Sequence, residues 1–222
     1  MRRIKGMFKY YAPNPLGRDF VCGDIHGCYT LLEEKLASIE FDKDKDRLFS
    51  TGDLADRGPE SEKALDYIRK DWFIPVMGNH EDMVLQCWRD KIAPRSWHYQ
   101  NGGDWLTMME GSWVQAYIEE IEKLPLVIQV GNFGIIHSRI PEGVSWIDLI
   151  SNVEAYRECI LWERNERINS AWTDGISGIF AGHTIHENIV NYGNTLDIDT
   201  GAFLSYWEGE SGKLTIIEMD HS

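Results

Sequence analysis

The sequence predicts an α/β fold built on parallel strands, and three observations carry that prediction. Short apolar runs recur between Asp19 and Met77, helical periodicity follows each of them, and a glycine-led polar motif closes each run. Strand and helix signals in alternation are satisfied by parallel strands with helices packed on them. The polar motifs then fall on loops at the carboxyl ends of the strands, where open α/β sheets carry their sites.

Asp19-Phe20-Val21-Cys22 is the first predicted strand. Thr30 to Ile39 reads as helix because Leu32, Leu36 and Ile39 recur at i, i+4 and i+7. Arg47 to Thr51 is the second strand. Pro59 opens the next helix, where proline is tolerated in a first turn, and Ala64, Leu65 and Ile68 form its buried side. Trp72 to Met77 is the third strand, and Glu81 to about Asp90 the third helix.

Between Lys91 and Lys123 the chain turns aromatic, methionine-rich and helical, with Trp97, Trp105 and Trp113. Val114, Tyr117, Ile118 and Ile121 mark an amphipathic helix near its end. Core packing is the plain reading of these aromatics; a cap over the site that takes part in substrate choice is the sharper one. Leu126 to Val130 and Gly134 to His137 are strands joined by a Gly131-Asn132 turn. A helix over about Trp146 to Cys159 follows, then strands at Gly178 to Ala181, Ile189 to Tyr192, Thr195 to Ile198 and Lys213 to Met219. No repeat or linker divides the chain, so its 222 residues are expected to form one domain, 1–222, with a helical, aromatic-rich insertion at about 91–123.

Composition narrows the function. The 22 basic and 36 acidic residues leave a net charge of −14, part of which bound divalent cations would neutralise. Binders of nucleic acid or anionic membranes need basic surfaces, so neither partner is expected. No run approaches the ~18 apolar residues of a membrane span. Met1-Arg2-Arg3-Ile4-Lys5-Gly6 starts basic without an apolar region behind it, so no signal peptide is expected. Cys22, Cys28, Cys87 and Cys159 form no Cys-x-x-Cys pair, which excludes a zinc ribbon and suits a reduced, cytoplasmic protein. Cys22 and Cys28 bracket the first motif and raise the question of oxidative inhibition; buried, inert thiols are the plainer expectation.

The motifs carry the chemistry. They are Gly23-Asp24-Ile25-His26-Gly27, Gly52-Asp53-Leu54-Ala55-Asp56-Arg57-Gly58 and Gly78-Asn79-His80-Glu81. Asp24 and His26 stand two apart on one loop and can turn toward one ion. Asp53 can bridge two ions with its two oxygens, and Asn79 offers a neutral amide oxygen. His137 and His183 each end an apolar strand. Any one of these alone is ordinarily a turn or packing residue. Together at successive strand ends they point to two metal ions, and the mixture of carboxylate, amide and imidazole suits Mn²⁺, Fe or Zn²⁺ over Ca²⁺.

These three motifs, in this order, resemble the signature of the PPP-type metallophosphoesterases, which include the Ser/Thr protein phosphatases and the symmetrical diadenosine tetraphosphatases. The whole chain is similar to the compact bacterial and bacteriophage protein phosphatases. Asn101-Gly102-Gly103-Asp104-Trp105, Trp162-Glu163-Arg164, Gly182-His183-Thr184 and Ile198-Asp199-Thr200-Gly201-Ala202 are supporting matches. The resemblance implies a calcineurin-like sandwich of two mixed β-sheets flanked by helices. It implies that Asp24, His26 and Asp53 hold one metal and that Asp53, Asn79, His137 and His183 hold the other, most simply as two Mn²⁺. Two ions about 3.5–4 Å apart can share a water, lower its pKa and aim it in line at phosphorus.

The same resemblance makes His80 the general acid, oriented by Asp56, and Arg57, Arg164 and Asn79 the phosphate-binding residues. A serine alkoxide leaves poorly, so a positioned imidazolium is worth about 10²–10⁴-fold. An arginine fork grips two phosphoryl oxygens at once. The assignment of Arg164 competes with Arg157 and Arg167 nearby. In one place the chain departs from its relatives: Ser138-Arg139 follows His137, and Arg139 either reaches the site or, as favoured here, points to solvent. His98, His186 and His221 match no ligand position.

The implied function is a metal-dependent serine/threonine protein phosphatase, monomeric and acting on phosphoproteins or phosphopeptides, with phosphotyrosine and phosphohistidine as further substrates. A symmetrical bis(5'-nucleosyl)-tetraphosphatase is the nearest alternative, ranked lower because those enzymes look longer. A catalytically silent metal-binding interaction module is the alternative of another class, disfavoured because every ligand and acid position is filled. A metallonuclease is disfavoured by the charge.

Overall fold

Strands in the computed structural model are short and mostly buried on both faces, so their residues feed two cores rather than one. The structure describes residues 7–164, 172–208 and 210–221; Arg167 lies outside them. The first sheet contains β2 (Asp19–Cys22), β3 (Arg47–Ser50) and β4 (Phe73–Pro75), parallel to one another, with β10 (Ile216–Glu218) antiparallel on the β2 edge. The second runs β1 (Phe8–Tyr11), β5 (Val127–Val130), β6 (Phe133–Ile135), β7 (Gly178–Ala181), β9 (Thr195–Asp197), β8 (Val190–Tyr192). Both sheets are mixed. In the second, β6, β7 and β9 are mutually parallel, and β5 meets β6 through the predicted Gly131-Asn132 hairpin.

Alternation along β2 and β3 explains the layering. Val21 and Phe49 turn inward, joining Val76, Ile128, Val130, Ile135, Phe180, Ile198 and Met219 between the sheets. Phe20, Cys22 and Leu48 turn outward into the helix-side core with Leu32, Leu36 and Leu65. Each fully buried side chain of this size contributes about 1.5–3 kcal/mol. The helices are α1 (Tyr29–Ser38), α2 (Ala64–Ile68), α3 (Asn79–Val84), α4 (Arg95–Gln100), α5 (Gly111–Ile121), α6 (Trp146–Ser151) and α7 (Arg157–Trp162).

Three expectations change. Strand β1 was not foreseen; its burial follows no strict alternation, and parallel pairing with β5 is what fixes it. The single helix over 146–159 is two: Ser145 caps α6 by accepting from the Asp148 N–H, Asn152 leaves the helical region at φ −147°, and a 3₁₀ turn at Val153–Tyr156 leads into α7. Pro59 precedes a 3₁₀ turn at Ser61–Lys63 rather than the helix proper.

Helix α5 buries Tyr117, Ile118 and Ile121 as its periodicity predicts, packing against α2. Trp105, Trp113 and Tyr117 form one aromatic cluster. All four cysteines are free and buried, and burial pushes the Cys22 and Cys28 thiols up to about 12, which makes them inert. Among the described residues no helix is long and apolar enough to cross a membrane.

Candidate metal centre

The carboxyl ends of six parallel strands, three from each sheet, converge on one place. Asp24 and His26 follow β2, Asp53 follows β3, Asn79 follows β4, His137 follows β6, His183 follows β7, and Asp199 follows β9. All seven are buried.

The imidazoles are oriented from behind. His26 Nδ1 lies 2.9 Å from the Ala55 carbonyl, His137 Nδ1 2.8 Å from that of Thr51, and His183 Nε2 3.2 Å from that of Trp162. A carbonyl only accepts, so in each ring that nitrogen carries the proton and the other presents its lone pair to the site. Burial lowers the pKa of all three, with Arg57 adding to the effect at His26; His183 falls to about 3. They are neutral imidazoles, the form that binds metal.

Two donor groups result, His26–Asp53–His80 and Asp53–His137–His183, each with its ligand atoms within 4.8 Å of one another. Asp53 belongs to both: Oδ2 lies 3.4 Å from His26 Nε2, and Oδ1 3.6 Å from His137 Nε2. Asn79 Oδ1 sits 2.8 Å from His137 Nε2 and 2.9 Å from His183 Nδ1. Asp24 lies beside these groups, its oxygens accepting from Thr51 Oγ1 at 2.7 Å and the His183 N–H at 2.9 Å. A Cβ on Gly182 would collide with Asp24 Oδ1.

Electrostatics call for cations here. Burial, then Asp199 and Asp53, push the Asp24 carboxyl well above its usual range. Burial and Asp53 raise Asp199 to about 6 against the Gly201 N–H, and Asp199 Oδ2 is buried without a hydrogen-bond partner. Three mutually repelling carboxylates facing neutral imidazoles and an amide oxygen fit a pair of divalent cations.

Glu81 ties two of the motifs together. Its carboxylate accepts from the backbone N–H groups of Gly78, Asp53 and Leu54 at 2.9, 3.0 and 2.9 Å, clamping the start of α3 to the β3 loop. The loops are strained. Of seven described non-glycine residues with positive φ, five belong to the site: His26, Asp53, Asp56, Arg57 and His183. Such conformations cost on the order of 1–3 kcal/mol each.

His80 Nδ1 donates to Asp56 Oδ2 at 2.6 Å, while its Nε2, a member of the first donor group, is buried without a hydrogen bond and lies 3.8 Å from Asp53 Oδ2. Burial opposes charge on His80, but Asp53 and then Asp56 more than offset it and raise its pKa. Burial likewise pushes Asp56 up, and the hydrogen bonds from His80 and His98 overcome it and hold the carboxyl well below its usual range. The family match to residues 20–187 is to the calcineurin-like phosphoesterases.

The chain belongs to that family. This calcineurin-like phosphoesterase is 35% identical over 90% of its length to serine/threonine-protein phosphatase 1 of Salmonella typhimurium, covering 91% of that protein. It is 34% identical to the symmetrical bis(5'-nucleosyl)-tetraphosphatase of Methylococcus capsulatus, over 55% of this chain and 43% of that one. A protein serine/threonine phosphatase from Saccharomyces cerevisiae shares the fold at a TM-score of 0.62 and 16% identity, over 97% of this chain and 84% of that one. It is a metallophosphoesterase.

The arginines are placed differently from one another. Arg57 Nη1 donates to His26 Nε2 at 2.8 Å, and its guanidinium lies 5.0 Å over the Phe203 ring. Arg164 is exposed, close enough to His183 to depress that imidazole's pKa. Arg139 does not simply point to solvent: it pairs with Glu163 at 2.7 Å, and the Ser138 hydroxyl bonds the Glu163 carbonyl. The Ser138-Arg139 departure thus pins the residue next to Arg164.

His98, Trp105 and Asp199 were not assigned roles from sequence. Asp199 carried a signal, as a further strand-end carboxylate in Ile198-Asp199-Thr200-Gly201. His98 carried none; it donates to Asp56 across the fold. His186 and His221 pair with Asp197 and Asp19, outside both donor groups.

Proposed function

We propose that this metallophosphoesterase is a phosphoprotein phosphatase that hydrolyses phosphoserine and phosphothreonine in proteins, with phosphotyrosine and phosphohistidine as further substrates. The observation that carries the reading is the His80–Asp56 pair at the edge of the two donor groups. Against burial, Asp53 and Asp56 raise the His80 pKa, which favours the protonated imidazole; that form suits a proton donor, whereas a metal ligand must be neutral.

Asp24, His26 and Asp53 hold one divalent ion, and Asp53, Asn79, His137 and His183 the other, with Mn²⁺ the expected metal. Bound there, the ions supply Lewis-acid activation of water and of the phosphoryl oxygens. The chain's own residues do the rest. Arg57 and Arg164 bind phosphoryl oxygens, and Asn79 shares in positioning them. The Arg57 donor now given to His26 is one that a metal would replace, which frees the guanidinium fork for phosphate. His80 passes its Nε2 proton to the leaving oxygen while Asp56 holds Nδ1–H and stabilises the imidazolium. The buried, free cysteines agree with a cytoplasmic setting.

The substrate choice rests on the 91% coverage of the Salmonella phosphatase against 43% of the tetraphosphatase. The test is hydrolysis of a phosphoserine peptide against diadenosine tetraphosphate at matched concentration, using chelator-treated protein with Mn²⁺, Mg²⁺, Zn²⁺ or Ni²⁺ added. Preference for the dinucleotide establishes the second reading, a symmetrical bis(5'-nucleosyl)-tetraphosphatase. Activity without added or retained metal contradicts both.

A further inference from the structure

Asp56 is held from three directions. Its Oδ2 accepts from His80 Nδ1 at 2.6 Å and from His98 Nε2 at 3.0 Å; its Oδ1 accepts from Trp105 Nε1 at 2.7 Å and lies 3.2 Å from the same His98 nitrogen. One N–H of His98 therefore spans both oxygens, which fixes the rotation of the carboxylate about its own axis. The lone pair that faces His80 follows from that rotation.

The state of His98 is fixed as well. Trp88 Nε1 lies 3.1 Å from His98 Nδ1, and an indole N–H can only donate. The proton of His98 is consequently on Nε2, toward Asp56, and a ring flip would lose both bonds. His98 is fully buried, and a Cβ on Gly103 would overlap its ring, so the backbone there lies flat against the imidazole and leaves it no room to swing. The next peptide back takes part too: the Gly102 carbonyl accepts from the Arg57 N–H at 3.2 Å.

We propose that His98, supplied by the helical segment between Lys91 and Lys123, is a positioning residue for phosphoester hydrolysis, setting the Asp56 carboxylate so that His80 meets the leaving oxygen. The aromatic segment then acts on the reaction itself, along Trp88, His98, Asp56 and His80, besides packing the core. This rests on the reading of His80 as proton donor.

The test uses metal-loaded protein with a phosphoserine peptide and with p-nitrophenyl phosphate, whose leaving group needs no proton. His98→Phe keeps the ring and removes the donor; it is expected to lower kcat on the peptide roughly 10- to 100-fold, the range for a lost hydrogen bond to a charged group, with KM nearly unchanged. The loss on p-nitrophenyl phosphate is expected to be much smaller. His98→Gln, whose amide N–H reaches the place of Nε2, is expected to recover most of the peptide activity. In a His80→Gln background His98→Phe should cost nothing further. Equal losses on both substrates, or a full additional loss on top of His80→Gln, would overturn the proposal and leave His98 a packing residue. If His80→Gln alone slows both substrates equally, the proton-donor reading is what fails, and that result is separate. Should the His98 variants not fold, Trp88→Phe at the half-buried end of the chain is expected to give the same substrate-selective loss in weaker form; an unselective loss, or none, overturns the proposal.

Discussion

Arg157 and Asp82 join the segment that leads to Arg164 to the helix that begins at Asn79 and His80. The Arg157 guanidinium meets Asp82 Oδ1, while Asp82 Oδ2 accepts from Trp162 Nε1 at 3.1 Å and Gln86 Nε2 at 2.8 Å. Trp162 in turn stacks on Trp97 and lends its carbonyl to His183. Asp82→Ala leaves three donors without their acceptor. Breaking a buried pair costs about 3–5 kcal/mol, and the partial exposure of Arg157 puts the expected loss at about 2–3 kcal/mol. Urea unfolding measures it. Alongside, KM for a phosphopeptide should rise more than kcat falls, because the segment proposed to bind phosphate through Arg164 is loosened while the His80 pair is intact.

His80→Asn should slow hydrolysis of a phosphoserine peptide by about 10²–10⁴-fold and that of an aryl phosphate far less. Steady-state rates on the two substrates decide it. Similar losses on both would remove the proton-donor role and leave His80, which shares a donor group with His26 and Asp53, as a ligand.

Metal should stabilise the fold as well as the reaction. Asp24, Asp53 and Asp199 repel one another until a cation lies among them, so chelation is expected to lower the melting temperature. Restoring Mn²⁺ to a hundredfold above its Kd contributes about 2.7 kcal/mol, roughly 5–10 °C for a chain of this size. A melting curve indifferent to chelator and to added Mn²⁺ would count against the donor groups as a metal site.

Asp197 gives a pH prediction of definite sign. Burial and then Asp199 raise its carboxyl to about 8, and its Oδ1 is buried without a partner. Between the unfolded value near 4 and about 8 the folded chain holds a proton that the unfolded chain has released, so stability falls as pH rises across that window and levels off above it. Asp197→Asn removes the titration. The variant should gain on the parent by at least about 1 kcal/mol at pH 8 relative to pH 5, measured by denaturant unfolding at both values. A gap that is the same at both pH values would show that Asp197 is ionised throughout.

How much of this was legible in the chain follows from what is local. Asp24, His26, Asp53, Asn79, His137 and His183 stand at strand ends, and a strand end is visible in sequence as an apolar run that stops; the structure brings all six to one place. Asp56 and Arg57 stand further from the strand end, and their roles were readable only through the resemblance of their motif to the metallophosphoesterase signature. His98 was not, because its partner Asp56 is reached only by the folding of the α4 segment back over the β3 loop. Strand β1 escaped because Phe8–Tyr11 alternates poorly and takes its conformation from β5. The helix break at Asn152 depends on one residue's φ, which no periodicity reports. Arg139 was readable as a departure but not as a strut, since Glu163 lies far along the chain.

The C-terminal strand β10 borders β2, with Ile216 opposite Cys22 and Glu218 opposite Phe20, and Met219 fills the space between the sheets. The opposite arrangement holds for β1, which waits for β5. During synthesis, then, the sheet that bears Asp24, His26 and Asp53 is begun by β2 and completed only when β10 pairs with it. Its β2 edge stays open until residues near 219 have left the ribosome, and an open edge invites pairing with other chains. Pairings this distant along the chain also make for slow folding. The newborn protein therefore holds the Asp24 and Asp53 loops on an unfinished sheet until β10 pairs, and removing that strand would return the folded protein to that condition.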